Sequence, residues 1–181
     1  MNESPIVALA RAYHFAAVRH VDQRRKGEAG EPYMNHLTEV AELVAQATRG
    51  SDPDVIIAAV LHDTVEDTEA TLEELKVHFG ERVAGLVAEV TDDKSLPRQT
   101  RKELQVEHAA HASRGAQIIK LADKTSNLRA LLSSPPAGWS DERRMEYLDW
   151  AGRVVDACRH TDTGLAAEFD QAARSLKHDL P

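Results

Sequence analysis

Leu61-His62-Asp63-Thr64-Val65-Glu66-Asp67 is where this chain concentrates chemistry. The nearly pure apolar run Val55-Ile56-Ile57-Ala58-Ala59-Val60 gives way there to one imidazole and three carboxylates. On a helix, His62 and Asp63 lie about 100° apart, so both can reach one ion at its end. Glu66 follows His62 at i+4 and Asp63 at i+3, on the same side if the helix continues. Burying such groups unpaired costs several kcal/mol, and a divalent cation is the economical compensation. A capping cluster for the next helix, or a solvated helix end, is the plainer reading of a lone His-Asp pair. Glu66 and Asp67, attached to a buried helix, weigh against it.

A metal site needs further ligands. His36, after Tyr33-Met34-Asn35, is one candidate, and Asp123, a charge within the apolar Ile118-Ile119-Lys120-Leu121-Ala122, is another. Taken singly, His36 reads as a surface or cap residue and Asp123 as an ion-paired one. Together they make two imidazoles and two carboxylates with no thiolate. That mixture suits Mn²⁺, Fe²⁺ or Zn²⁺ better than a structural zinc site. Three consecutive cations, Arg24-Arg25-Lys26, are either a solvated turn or a phosphate clamp. Ser133-Ser134 and Cys158 lack a recognisable base partner, which disfavours nucleophilic catalysis. Gly27 and Gly30 belong to a flexible polar loop, since they do not open a helix after a strand. His14, His20, His78, His108, His111, His160 and His178 read as surface or structural residues.

The elements that must position these groups read as helices. Ser4-Pro5 is a cap followed by a first-turn proline, and apolar residues at helical spacing run on to about Val21. A second helix covers about Asn35 to Arg49, with Gly50 as its C-terminal cap. Asp52-Pro53 opens a third, over 54–63, apolar nearly all round and therefore central. Thr71-Leu72-Glu73-Glu74 has capping-box spacing for a short helix ending near Gly80. Further helices are expected over 81–91, 97–112, 116–132 (amphipathic), 140–159 and 163–177. Strand signals are poor: Val87–Thr91 is the best candidate but has no hairpin partner. The fold reads as all-α, a bundle of about seven to nine helices forming one domain over residues 1–181.

Composition narrows the function. The chain has 181 residues, 42% hydrophobic and 29% charged, which is ordinary for a globular protein. Its net charge of −8 argues against a nucleic-acid polymer as partner, so any attraction to phosphate must be local. One cysteine excludes an internal disulfide and fits a reducing cytoplasm. No apolar run approaches a membrane span, and the N-terminus lacks a signal-peptide core.

The spacing His36, His62-Asp63, Asp123 resembles the HD-domain metal-dependent phosphohydrolases. Arg24-Arg25-Lys26, Pro32–His36, Leu61–Asp67, Val90-Thr91-Asp92-Asp93-Lys94 and Lys120–Lys124 follow in the order seen in RelA/SpoT-type hydrolase domains. Among these the chain looks most like the single-domain small alarmone hydrolases, the metazoan SpoT homologues included. The likeness continues through Gly138-Trp139-Ser140 and Glu146-Tyr147, and leaves no room for synthetase or regulatory segments.

This resemblance implies hydrolysis of the 3′-pyrophosphate of (p)ppGpp to GDP or GTP and pyrophosphate, usually with Mn²⁺. It implies His36, His62, Asp63 and Asp123 as metal ligands, and Glu66 and Asp67 as the carboxylates that handle the water. It favours Arg25 and Lys26 as substrate contacts and places Asn127 beside the substrate. Tyr147 is a candidate contact with the nucleoside. Lys94, Lys102 and Arg129 read as exposed, and Trp139 and Trp150 as packing residues. Leu37 stands where relatives commonly have proline, and Thr125-Ser126 replace a larger pair, which is expected to widen or reshape the pocket. The alternatives are release of the 2′-phosphate of NADPH, or of another nucleotide's phosphate, and a non-catalytic ppGpp-binding module.

Overall fold

The computed structural model describes residues 3–180; Met1, Asn2 and Pro181, to which the expected 1–181 domain extends, lie outside the described residues. The described residues form α1 (Pro5–Arg19), α2 (Met34–Thr48), α3 (Pro53–Leu61), α4 (Thr64–Asp67), α5 (Leu72–Phe79), α6 (Glu81–Val90), α7 (Arg98–His111), α8 (Arg114–Ser133), α9 (Asp141–Cys158) and α10 (Thr163–Asp179). A single 3₁₀ turn, Arg159–Thr161, joins the last two. No strand forms among these residues, and Val87–Val90 is helical. The nine longer helices are the number expected, and α4, a single turn, separates from α3 in addition to them.

α3 is central because it has no polar face: every residue from Val55 to Leu61 is buried. α1, α2, α6 and α8 pack around it. α8 departs from the amphipathic pattern expected of it. Twelve of its twenty residues are buried, including Lys120, Lys124, Thr125 and Ser126. It is enclosed because α2, α6, α9 and α10 all pack against it. α7 lies along α9, and α5 along α6.

Local signals act where the patterning places them. Thr71 Oγ1 accepts from Glu74 N, and Asp162 Oδ1 from Leu165 N. Ser4 and Asp52 sit at N-cap positions without a side-chain cap, and Asp52 instead pairs with Arg82. α2 ends at Thr48 and its C-cap is Arg49 (φ 52°), which already turns left-handed, rather than Gly50; Gly50 N reaches back to Ala45 O at 2.9 Å.

The loop between α1 and α2 is pinned, contrary to the flexible reading of its glycines. Arg24 bridges Pro32, Gly27 bridges Pro136, and Ala29 N donates to Ser134 Oγ at 3.2 Å. A Cβ on Gly27 would stand 2.2 Å from the Ser134 carbonyl oxygen, so the docking of Arg25 and Lys26 requires glycine there. Gly27→Ala is expected to destabilise the protein by ~1–3 kcal/mol, read from the midpoint of urea unfolding.

Candidate metal centre

α3 stops at Leu61 rather than running through the His-Asp pair. His62 is its C-cap, and Asp63 (φ −98°, ψ −2°) is the N-cap of α4. The expected continuous helix face for His62, Asp63 and Glu66 is therefore absent. A break holds them instead, and it directs both His62 and Asp63 toward α2 and α8.

His36 from the first turn of α2, His62 from the end of α3 and Asp123 from the middle of α8 converge. One ligand atom from each lies within 4.8 Å of the other two. Asp63 completes the group: its Oδ2 is 3.1 Å from His62 Nε2 and 3.6 Å from His36 Nε2. Asp123 Oδ1 stands 3.3 Å from His36 Nε2 and 3.9 Å from His62 Nε2. Both histidines are buried, and neither Nε2 makes a hydrogen bond among the described residues. The ring of His62 is oriented from behind by Ala59 O, which accepts from Nδ1 at 2.8 Å. Two buried nitrogens without partners, facing carboxylate oxygens, are the donor set of a divalent ion. His36, His62 and Asp123 form a metal-binding cluster, and its atoms fit the ion that the residue types called for.

Charge balance in the site follows from this crowding. Burial opposes a charge on His62, but Asp63 and Asp123 outweigh it and raise its pKa to about 9. Burial pushes Asp63 and Asp123 up, yet His36 and His62, with Lys124 beside Asp123, hold both well below the ordinary carboxylate range. Lys124 Nζ is 2.8 Å from Asp123 Oδ2, and Asn127 Nδ2 donates to Asp123 Oδ1 at 2.5 Å. Tyr33 Oη donates to Asp63 Oδ2 at 2.5 Å; burial and that carboxylate both push its own pKa up.

Glu66 and Asp67 lie just beyond the cluster, held by different partners. Glu66 Oε2 accepts from Asp92 N at 3.0 Å. Its pKa is raised to about 7: burial is the main cause, the Asp92 N–H opposes it, and Asp63, Asp92 and Asp67 add repulsion. Asp67 accepts from Gln23 Nε2 at 2.8 Å and pairs with Lys94 Nζ at 2.5 Å.

A cavity of about 490 Å³ opens above these groups. Arg24, Arg25 and Lys26 line one wall, and Lys94, Arg98, Arg101, Lys102, Lys120 and Lys124 also line it. Arg25 Nη1 donates to Asn127 Oδ1 at 3.1 Å, which ties the basic loop to α8. Tyr147 lines the cavity beside Trp150, their ring centroids 5.4 Å apart; burial pushes its pKa up to about 12.

Of the residues singled out for the site, His36 stands in the metal cluster behind the cavity and the other nine line the cavity itself. Several readings need correction. Trp139 and Trp150 line the cavity as well as pack, and Trp150 carries Lys102 and Lys124 over its ring at 4.9 and 4.6 Å. Lys102 is accordingly only partly exposed. Arg129 is half-buried and points to Glu39 and Glu168 instead. Thr125 and Ser126 do not widen the cavity: both are fully buried behind it, Thr125 bonding Leu121 O and Ser126 bonding Glu39. Sequence reasoning missed Tyr33, Lys124, Asp92 and Arg101 as site residues. The first three stood in the quoted motifs, whereas nothing near Arg101 signals its approach to Glu66, at 4.0 Å. Of the remaining histidines only His20 is buried, stacked on Tyr33 and 3.3 Å from Thr64 Oγ1.

Comparisons with known proteins agree with this fold. Residues 12–146 match the family model described as "HD domain". The human guanosine-3′,5′-bis(diphosphate) 3′-pyrophosphohydrolase MESH1 is 48% identical over 175 residues, 97% of this chain and 94% of its own. The Xenopus tropicalis protein of the same name is 47% identical over 167 residues, covering 92% and 93%. A solved metazoan ortholog of SpoT, described as hydrolysing ppGpp, superposes with a TM-score of 0.90 at 43% identity, over 100% of this chain and 99% of that one. The chain belongs to the HD-domain family and, within it, to the group that holds these SpoT-type pyrophosphohydrolases.

Proposed function

We propose that this protein is a Mn²⁺-dependent hydrolase of the 3′-pyrophosphate of (p)ppGpp, acting as one domain over residues 1–181 in the cytoplasm. The observation that carries the reading is the convergence of two unpartnered, buried histidine nitrogens with Asp63 and Asp123 beneath a cation-lined cavity. The high identity to proteins named for this reaction supports the substrate.

In this reading His36, His62, Asp63 and Asp123 hold the ion. A bound divalent ion supplies Lewis acidity toward a phosphoryl oxygen and lowers the pKa of water. Glu66 takes the proton of the attacking water, held just beyond the ligands by the Asp92 N–H. Asp67, fixed by Gln23 and Lys94, orients the water. Water oxygen bonds to the phosphorus attached at O3′, the P–O3′ bond breaks, and the proton ends on the freed 3′-hydroxyl. Arg25 and Lys26 receive phosphate oxygens, with Asn127 setting the direction of the Arg25 fork. Tyr147 and its aromatic neighbours offer a face to the base.

Metal-stripped protein is expected to release GDP and pyrophosphate from ppGpp only when Mn²⁺ is returned. Binding of ppGpp without GDP formation, or phosphate release from NADPH alone, would falsify the assignment. Asp63→Ala should lose metal content, whereas Glu66→Gln and Asp67→Asn should keep it while turnover drops about 10²–10⁴-fold. Elemental analysis beside kinetics checks this, and equal metal loss at Glu66 would contradict the division of labour. Arg25→Ala and Lys26→Ala should act mainly on KM.

A pH dependence follows from Glu66. A base works when deprotonated, so kcat/KM at saturating Mn²⁺ should rise with pH. A nearby cation pulls the pKa down from about 7 toward the ordinary 4.5, so the limb should fall between those values. Glu66→Gln should remove the limb, and a limb that survives the substitution would assign it elsewhere.

A further inference from the structure

The two ring nitrogens of His36 have different surroundings. Nε2 faces Asp63 and Asp123 at the metal centre. Nδ1 lies 2.9 Å from Ser126 Oγ, a fully buried hydroxyl on α8. Ser126 Oγ in turn lies 2.7 Å from Glu39 Oε2 on α2. An ionised carboxylate only accepts, and a hydroxyl has one hydrogen. The Ser126 hydrogen therefore goes to Glu39, and a lone pair of Oγ accepts from His36 Nδ1–H. In the neutral ring, the form that binds a metal, this leaves Nε2 free of hydrogen and directs its lone pair at the metal centre. Glu39 is itself fixed: Arg129 Nη1 donates to its Oε1 at 3.2 Å, while Arg129 Nη2 donates to Glu168 Oε2 at 2.7 Å.

Resting on the metal reading of the site, we propose that Ser126 and Glu39 are positioning residues that hold His36 as the Nδ1–H tautomer and thereby set the affinity of the centre for its divalent ion. His62 needs no such arrangement, because Ala59 O accepts from its Nδ1 within its own helix. His36 stands in the first turn of α2 and takes its acceptor from α8 instead. Ser126 thus has a task that its position outside the cavity would not suggest. Outer partners of this kind orient a ligand imidazole and raise its basicity. Thr125 provides the internal control. It is equally buried on the same helix, but its hydroxyl is committed to Leu121 O at 2.8 Å.

The test is titration of the metal-stripped full chain with Mn²⁺ against a competing chelator. Ser126→Ala should weaken binding about 10–100-fold, and Thr125→Ala by less than about twofold. Glu39→Ala should weaken it in the same direction. The double variant Ser126→Ala/Glu39→Ala should be no weaker than Ser126→Ala, because the two residues act in series. Excess Mn²⁺ should restore kcat of Ser126→Ala to within about threefold of wild type, which damage to the fold would prevent. Wild-type affinity in Ser126→Ala, or additive losses in the double variant, overturns the proposal. If Ser126→Ala does not fold, Glu39→Ala, whose side chain is 33% exposed, decides the matter, and undiminished Mn²⁺ affinity there overturns it. Failure of the wild-type chain to bind Mn²⁺ is a separate result and removes the metal reading on which the proposal stands.

Discussion

Two imidazole nitrogens and two carboxylates share one desolvated point where α2, α3 and α8 meet, and the rest of the molecule answers to that. In a low-dielectric interior, unpaired polar atoms are costly. His36 and His62 each leave a nitrogen unpartnered there, while their other nitrogen is hydrogen-bonded. The polypeptide thus uses its own donors and acceptors to orient the rings and leaves Nε2 of each facing the centre. Without an ion, the group balances charge internally, with His62 raised and Asp63 and Asp123 lowered.

The packing makes this point rigid. α3 can be buried on all sides because its sequence from Val55 to Leu61 has no polar face, so His62 starts from a backbone with little freedom. α8 is enclosed as thoroughly, although it carries Lys120, Lys124, Thr125 and Ser126 inward. Their polar ends turn to particular neighbours: Lys124 to Asp123 and the Trp150 ring, Thr125 to its own helix, Ser126 to Glu39. Beyond the centre, the same principle separates Glu66 from Asp67. Adjacent in sequence, they face different partners, and burial together with three neighbouring carboxylates raises Glu66 to about 7. The cations around the cavity offset the acidic balance of the whole chain locally, as a net charge of −8 required for any phosphate ligand.

Helical periodicity and capping residues made the nine longer helices legible, because each buries a stripe or ends at a residue with a physical reason to stop it. The apolar run into His62-Asp63 and the charge of Asp123 within apolar residues marked the centre, since such charges need compensation wherever the chain folds. Other features were not legible for equally physical reasons. The break at His62-Asp63 carries no proline or glycine, and the pinned loop at Gly27 depends on Ser134 and Pro136 more than a hundred residues away. No helix among the described residues is long and apolar enough to cross a membrane.

Residue types and spacing alone therefore determined the all-α class, the central helix and the demand for a cation near His62-Asp63. Those follow from local propensity and from the cost of burying charge, which act within a short stretch of chain. Only the tertiary structure decided which distant side chains complete the set, that Trp150 faces the cavity, that Arg129 turns away from it, and that Ser126 stands behind His36 rather than in front. Such choices depend on how helices far apart in sequence are rotated against one another, and that rotation is set by the packing of the whole core.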